Sequence, residues 1–222
     1  MKIKWLGHAC VLVTSEKGLK IMTDPYPWGW LYRATMKMTY PSIDEEADIV
    51  VVTHNHGDHN NIKAVQGHPE IVREVGRRVV KGIRIKGVKT RHGTFRTQNI
   101  VFCFEVDGIN MCHLGDLGHL LNEIQIAEIG EVDILLATFS GFPVMKPEGI
   151  GQVCKQLNPK IIIPVHWRTP KCNTFFFAKP HRVYKVFRDI TTDIQWLEIK
   201  EIEITKDSLP RETGIRIFPP YF

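Results

Sequence analysis

The segment Asp48-Ile49-Val50-Val51-Val52-Thr53-His54-Asn55-His56-Gly57-Asp58-His59 decides how the chain is read. Its first half is an unbroken apolar run bounded by polar residues, the pattern of a strand buried on both faces. Its second half packs three imidazoles and a carboxylate into six residues. His54 and His56 stand two apart, so in extended chain both rings leave on the same side. Asp58 and His59 follow after a glycine and turn onto a second position. The stretch therefore reads as a strand delivering ligands for two metal ions to the edge of a sheet.

Working outward, short strand patterns cover Lys2–Leu6, Cys10–Thr14 and Leu19–Thr23, separated by turns at Ser15–Gly18 and Pro25–Gly29. Val79–Thr90 reads as a further strand. Asn99–Val106 and Ile109–Leu114 flank Asp107-Gly108, a two-residue hairpin signal. Helical patterns at Glu123–Ile129 and Pro147–Leu157 each lead into a buried strand, Val132–Ala137 and Lys160–Val165, and Gly214–Phe218 closes the series. A meander followed by helix–strand units supports an α/β or α+β class with one domain over residues 1–222.

With 43% hydrophobic and 24% charged residues among 222, the composition is that of a globular protein. No apolar run reaches spanning length and the start lacks a signal-like apolar region, so a cytoplasmic location and no membrane partner are expected. Five scattered cysteines without a C-x-x-C pair fit a reducing compartment. The net charge of +5 is mild. Basic residues crowd Arg73–Arg96 with only Glu74 opposing them, readable as an anion-attracting rim or as two solvated strands. The solvated strands are the preferred reading.

The chain resembles the metallo-β-lactamase superfamily, whose signature is H-x-H-x-D-H. Gly7-His8-Ala9, Met22-Thr23-Asp24-Pro25, His113 to His119 and Ile163-Pro164-Val165-His166 follow in that family's order. They look most like its compact hydrolases, the branch that includes relatives of L-ascorbate-6-phosphate lactonase. The resemblance implies an αβ/βα sandwich of four layers, with two mixed β-sheets flanked by helices.

It also implies a ligand set. His54, His56 and a third histidine would hold one ion. His92, after a strand, is preferred for that place over His113, which would then support a ligand from behind. Asp58, His59 and His166 would hold the second ion, and Asp116 in Leu114-Gly115-Asp116 would bridge the two. Asp24 would orient an imidazole, its alternative being an ordinary Asp-Pro turn. For His8 and His119 a place beside the site and a structural role stand equally; His68 and His181 read as surface residues. Diiron relatives carry glutamate where this chain has His56, so zinc is the expected metal, with manganese, nickel and iron also accepted by imidazole.

The chemistry implied is hydrolysis of a small ester, lactone or amide, phosphorylated substrates included, by a hydroxide bridging two metal ions, with Asp58 and Asp116 as the catalytic carboxylates. A phosphodiesterase or nuclease with the same site is the alternative, and a non-hydrolytic metal-binding or redox protein a third. The partner expected is a small anionic molecule; nucleic acid carries less weight for want of a separate module, and a homo-oligomer is compatible. Aromatics at Tyr26–Tyr32 and Phe175–Phe177 could wall a pocket or pack a core or an interface. Arg168, Lys171, Lys179 and Arg182, just past His166, could meet an anion or lie solvated. Close relatives tend to carry paired glycines where this chain has Ser140-Gly141, which leaves the rim there unspecified.

Overall fold

A computed structural model describes residues 1–93, 97–175 and 177–220. In chain order the regular elements are β1 (Lys2–Gly7), β2 (Cys10–Thr14), β3 (Lys20–Thr23), α1 (Trp30–Thr35), β4 (Ile49–Val51), β5 (Glu70–Val72), β6 (Gly76–Val80), β7 (Ile83–Arg91) and β8 (Gln98–Val106). There follow β9 (Ile109–His113), α2 (Glu123–Ile129), β10 (Ile134–Thr138), α3 (Pro147–Leu157), β11 (Ile161–Val165), α4 (Pro180–Ile190), β12 (Ile194–Trp196), β13 (Glu201–Glu203) and β14 (Gly214–Ile217). They build a six-stranded sheet in the order β13-β1-β2-β3-β4-β5 and an eight-stranded sheet in the order β12-β14-β11-β10-β9-β8-β7-β6. Both sheets mix parallel and antiparallel pairs.

Period-two alternation divides the eight-stranded sheet between two cores. Phe102, Phe104, Ile134, Leu136, Ile161 and Ile163 join the cluster that includes Ile3, Trp5, Val11 and Val50 of the other sheet. Val101, Cys112, Leu135, Ile162 and Ile215 turn outward onto α3 and α4, which supply Ile150, Val153, Val183 and Phe187. Helices flank the sheets as the resemblance implied, most heavily on the outside of the larger one.

Glu123–Ile129 and Pro147–Leu157 coincide with α2 and α3. In α2 the side chain of Asn122 caps the Gln125 N–H and Gln125 answers the Asn122 N–H. Val79–Thr90 is corrected: it is not one strand but the hairpin β6–β7, because Lys81 and Gly82 both take positive φ, 48° and 84°, and fold the chain back. The short elements α1, β5, β12 and β13, and the eleven-residue α4, were not anticipated.

Candidate metal centre

Six strands end where they must for a shared site. His8 follows β1, Asp24 follows β3, His54 to His59 follow β4, His92 follows β7, Asp116 follows β9 and His166 follows β11. Two sheets packed face to face thus bring the carboxyl ends of strands distant in sequence to one edge, where open α/β sheets also place their ligands. His8, Asp24 and His166 hold positive φ of 52°, 35° and 51°. Such backbone costs about 1–3 kcal/mol for a non-glycine residue and persists where the surroundings demand it.

The structure gathers all seven residues expected as ligands into two adjoining groups of donor atoms. His54, His56, His92 and Asp116 form one; Asp58, His59 and His166, joined by His8, form the other. Asp116 touches both with different oxygens. Its Oδ2 lies 3.3 Å from His92 Nε2 and 3.8 Å from His54 Nε2, while its Oδ1 lies 3.6 Å from His59 Nε2 and 3.7 Å from His166 Nε2. Asp58 Oδ2 stands 3.7 Å from His59 Nε2, 3.8 Å from His166 Nε2 and 3.1 Å from His8 Nε2.

Behind this layer Asp24, completely buried, fixes the orientation of its neighbours. It accepts hydrogen bonds from the Thr53 N–H (2.8 Å), the Thr53 hydroxyl (2.7 Å), His59 Nδ1 (2.8 Å) and His113 Nε2 (2.9 Å). Because the Thr53 hydroxyl donates to Asp24, its oxygen is left to accept from His54 Nδ1 at 2.9 Å. Both His54 and His59 are thereby turned so that Nε2 faces the cluster. His113 sits against Asp24 and in neither group of four.

Sequence reading overlooked Thr53 and Asn99, since neither residue type announces such a role. Buried Asn99 accepts from the Asp116 N–H at 2.9 Å and donates to Leu114 O at 2.9 Å, clamping the loop that carries Asp116. Gly115 is required there: a Cβ would lie 2.5 Å from Asn99 Oδ1 and from Thr53 Cβ, at a φ of 54°. His119 Nε2 accepts from the Arg91 N–H at 3.2 Å and ties two loops together. His68 and His181 are exposed.

Charge follows geometry. Burial alone would raise the Asp24, Asp58 and Asp116 carboxyls, but the surrounding imidazoles outweigh it and hold all three well below the ordinary range. His59 would be lowered by burial; Asp116, Asp58 and Asp24 push it up to about 10. Burial, reinforced by neighbouring imidazoles, takes His54 down to about 3 and His8 to about 4. Asp24, Asp58 and Asp116 thus converge on the site as carboxylates, negative charge that dications would neutralise.

A metal test can be made on the atoms themselves. His54 Nε2, His59 Nε2, His166 Nε2 and Asp116 Oδ1 are buried and have no hydrogen-bond partner. Orphaned polar atoms at this density are costly and call for a partner. Imidazole nitrogens and carboxylate oxygens are the donors that zinc and neighbouring divalent metals take. The residues fit the group.

The basic segment is split between this site and a separate cleft: Arg73 lines a cleft of about 460 Å³ with His54, His56 and Asn60. Arg78 pairs with Glu74, four residues before it, and Arg84 of β7 with Glu105 of β8. Arg77, Arg78, Arg84, Lys86 and Glu105 line a cleft of about 370 Å³ that none of the clustered residues enters. Arg96, and Phe176 of the aromatic run, lie outside the described residues. Arg182 is paired with Glu148 at 2.8 Å. Tyr26 is buried, its hydroxyl donating to backbone carbonyls, while Trp28 and Trp30 are exposed.

A two-sheet sandwich gathering this donor set at its strand ends is a metallohydrolase scaffold, and the comparisons agree. A family model described as a β-lactamase superfamily domain matches residues 2–166. A UPF0173 metal-dependent hydrolase of Carboxydothermus hydrogenoformans is 30% identical over 199 residues, covering 76% of this chain and 85% of that protein. One from Archaeoglobus fulgidus is 28% identical over 204 residues, covering 76% and 84%. Among solved structures, a candidate Zn-dependent hydrolase of the metallo-β-lactamase superfamily from Thermotoga maritima aligns with a TM-score of 0.77 at 34% identity, covering 98% of this chain and 97% of the other. The chain belongs to the metallo-β-lactamase superfamily, as a metal-dependent hydrolase of that fold. The names of these relatives specify no lactone substrate.

Proposed function

We propose that the protein hydrolyses a small ester, lactone or amide, phosphorylated substrates included, with two divalent cations, zinc first among them, held in the two groups of donors. The observation that carries this reading is Asp116, whose two oxygens face different imidazole sets. His54, His56 and His92 would hold one cation, Asp58, His59 and His166 the other, and Asp116 would join them. Such cations supply Lewis acidity and lower the pKa of a bound water from 15.7 to about 7.

The chain's own groups then have defined tasks. Asp24 and Thr53 hold His54 and His59 in the tautomer that offers Nε2. Asp58, whose Oδ2 faces His8, His59 and His166, orients the attacking water. His8 donates to Asp58 and steadies it. Phe177 lies 4.7 Å from the His166 ring and keeps solvent from that side. The phosphodiester alternative drew on the basic segment, of which the β6–β7 part opens on a separate cleft while Arg73 lines the cleft that His54 and His56 share.

The test is Asp116→Ala, loaded with zinc and offered a panel of lactones, acyl esters, amides and phosphodiesters beside the parent protein. The parent should bind two zinc ions per chain and turn over a carbonyl substrate; the variant should bind fewer and lose turnover. Undiminished turnover in the variant, or a parent active only on phosphodiesters, overturns the proposal.

A further inference from the structure

The segments framing the cluster differ from the rest of the surface. Residues 36–39 hydrogen-bond to 171–173, with the Thr39 N–H donating to Lys171 O and Cys172 Sγ to Met36 O. Residues 177–178 are tied to 140–141 through the Ala178 N–H and Ser140 O, and a Cβ on Gly93, beside His92, would meet the backbone of Pro143. The Tyr32 hydroxyl lies against Gly57 in the ligand loop. Segments 26–40, 139–146, 167–175 and 177–180 therefore form one rim around the candidate metal centre.

That rim carries Trp28, Trp30, Leu31, Phe142 and Phe175, each between 52% and 79% exposed. Among the described residues, four of the five exposed aromatic side chains are in this set, Trp196 being the fifth. The same segments hold Arg33, Lys37, Lys146, Arg168, Lys171 and Lys179 and no aspartate or glutamate. Removing these six from the chain's 29 basic residues leaves 23 against 24 acidic ones, so the net positive charge of the whole protein resides on the rim.

Exposed aromatics at this density mark a surface that something covers. A second copy laid face to face would set six cations against six. A soluble ligand would want a concave wall, whereas Trp30 is more than three-quarters exposed. Tryptophan beside lysine and arginine, with acids absent, suits the headgroup boundary of an anionic bilayer. We propose that this rim docks the protein on an anionic lipid surface, with the candidate metal centre turned toward the headgroups.

This departs from the expectation of no membrane partner. That expectation rested on the lack of a long apolar run, and among the described residues no helix is long and apolar enough to cross a membrane. Docking on a surface needs neither.

The experiment is cosedimentation of the full, metal-loaded chain with sucrose-loaded vesicles of phosphatidylcholine, alone or mixed with phosphatidylglycerol. Binding to the mixed vesicles is expected, weak binding to phosphatidylcholine alone, and a decline as salt rises. Trp28→Ala/Trp30→Ala should lower partitioning about tenfold or more. Arg33→Gln/Lys179→Gln, at two exposed positions, should lower it about fivefold per cation removed. No binding to mixed vesicles at low salt, or unchanged partitioning in both variants, overturns the proposal. So does a concentration-independent dimer that Trp28→Ala/Trp30→Ala dissociates. So does equal affinity for a monomeric short-chain phosphatidylglycerol, which would make a soluble amphiphile the ligand. The assay reads no turnover, so its failure would leave the hydrolase reading standing.

Discussion

His59 Nδ1 donates to Asp24 Oδ2 at 2.8 Å with both side chains fully buried, and this contact determines which nitrogen His59 presents to the candidate metal centre. Asp24 does more than turn one ring. It accepts from four donors on three residues, Thr53, His59 and His113, and through Thr53 it also sets the tautomer of His54.

Asp24→Asn should therefore damage both groups of donors at once. The amide would present an N–H₂ to donors, leaving buried groups unpaired at a cost of about 1–3 kcal/mol each. Loss of such a supporting partner lowers metal affinity about 10–100-fold. Chelator competition on the purified variant would measure this, and an unchanged zinc affinity would contradict the assigned role.

The metal chemistry of this fold was the most legible part of the sequence, and for a physical reason. Imidazole and carboxylate are chemically distinct side chains that bind metal, and the 54–59 loop concentrates four of them behind an apolar strand. His92, Asp116 and His166 could be placed because their order along the chain resembles that of the superfamily's ligands. Asn99 and Thr53 could not, because a buried amide or hydroxyl acquires its role only when strands far apart in sequence meet. The helix α4 is different: Val183, Val186, Phe187 and Ile190 recur at helical spacing and Pro180 stands at its first turn. Its signal is present in the sequence as that spacing. The lone turn pair Lys81-Gly82 was likewise legible as a break within Val79–Thr90.

Removing metal should cost stability without unfolding the protein. The two apolar clusters pack the sheets and helices together, whereas His54 Nε2, His59 Nε2, His166 Nε2 and Asp116 Oδ1 lose whatever satisfied them. A ligand present at a thousand times its Kd stabilises by about 4.1 kcal/mol. Thermal melts with and without chelator should show a lower Tm that zinc restores. An identical Tm in both states would mean that the cluster is not a metal centre.

The metal-free protein should have a stability maximum near neutral pH. His59 is raised to about 10, so the stability it contributes is complete below its unfolded value near 6.5 and is lost as pH climbs toward 10. His8 and His54 are lowered to about 4 and 3, so the folded state disfavours their protonation and loses stability as pH drops below about 6.5. The depressed carboxyls of Asp24, Asp58 and Asp116 add a further loss below about pH 4. Zinc must displace the His59 proton, so the alkaline decline should vanish in the loaded protein while metal affinity rises with pH. Denaturant titrations across pH, with zinc or with chelator, would show it. Stability of the metal-free form that rises steadily from pH 6.5 to 10 would refute the assignment of charge.

Gly118→Ala probes whether the two donor groups depend on a single backbone approach. A Cβ at Gly118 would run into the backbone of Gly93 and His92, with no flexible side chain able to yield. The Gly118 N–H also donates to Arg91 O at 2.9 Å, so the loop bearing Asp116 is stitched to the strand end bearing His92. Pushing them apart stretches the His92–Asp116 contact of 3.3 Å while leaving Asp58, His59 and His166 where they are. The substitution should destabilise by about 1–3 kcal/mol, as forced overpacking does. It should also release one zinc more readily than the other, from the side held by His54, His56 and His92. Metal counting during stepwise chelation would resolve the two losses. If both ions leave together at the parent's rate, the contact between these loops does not hold His92 in place.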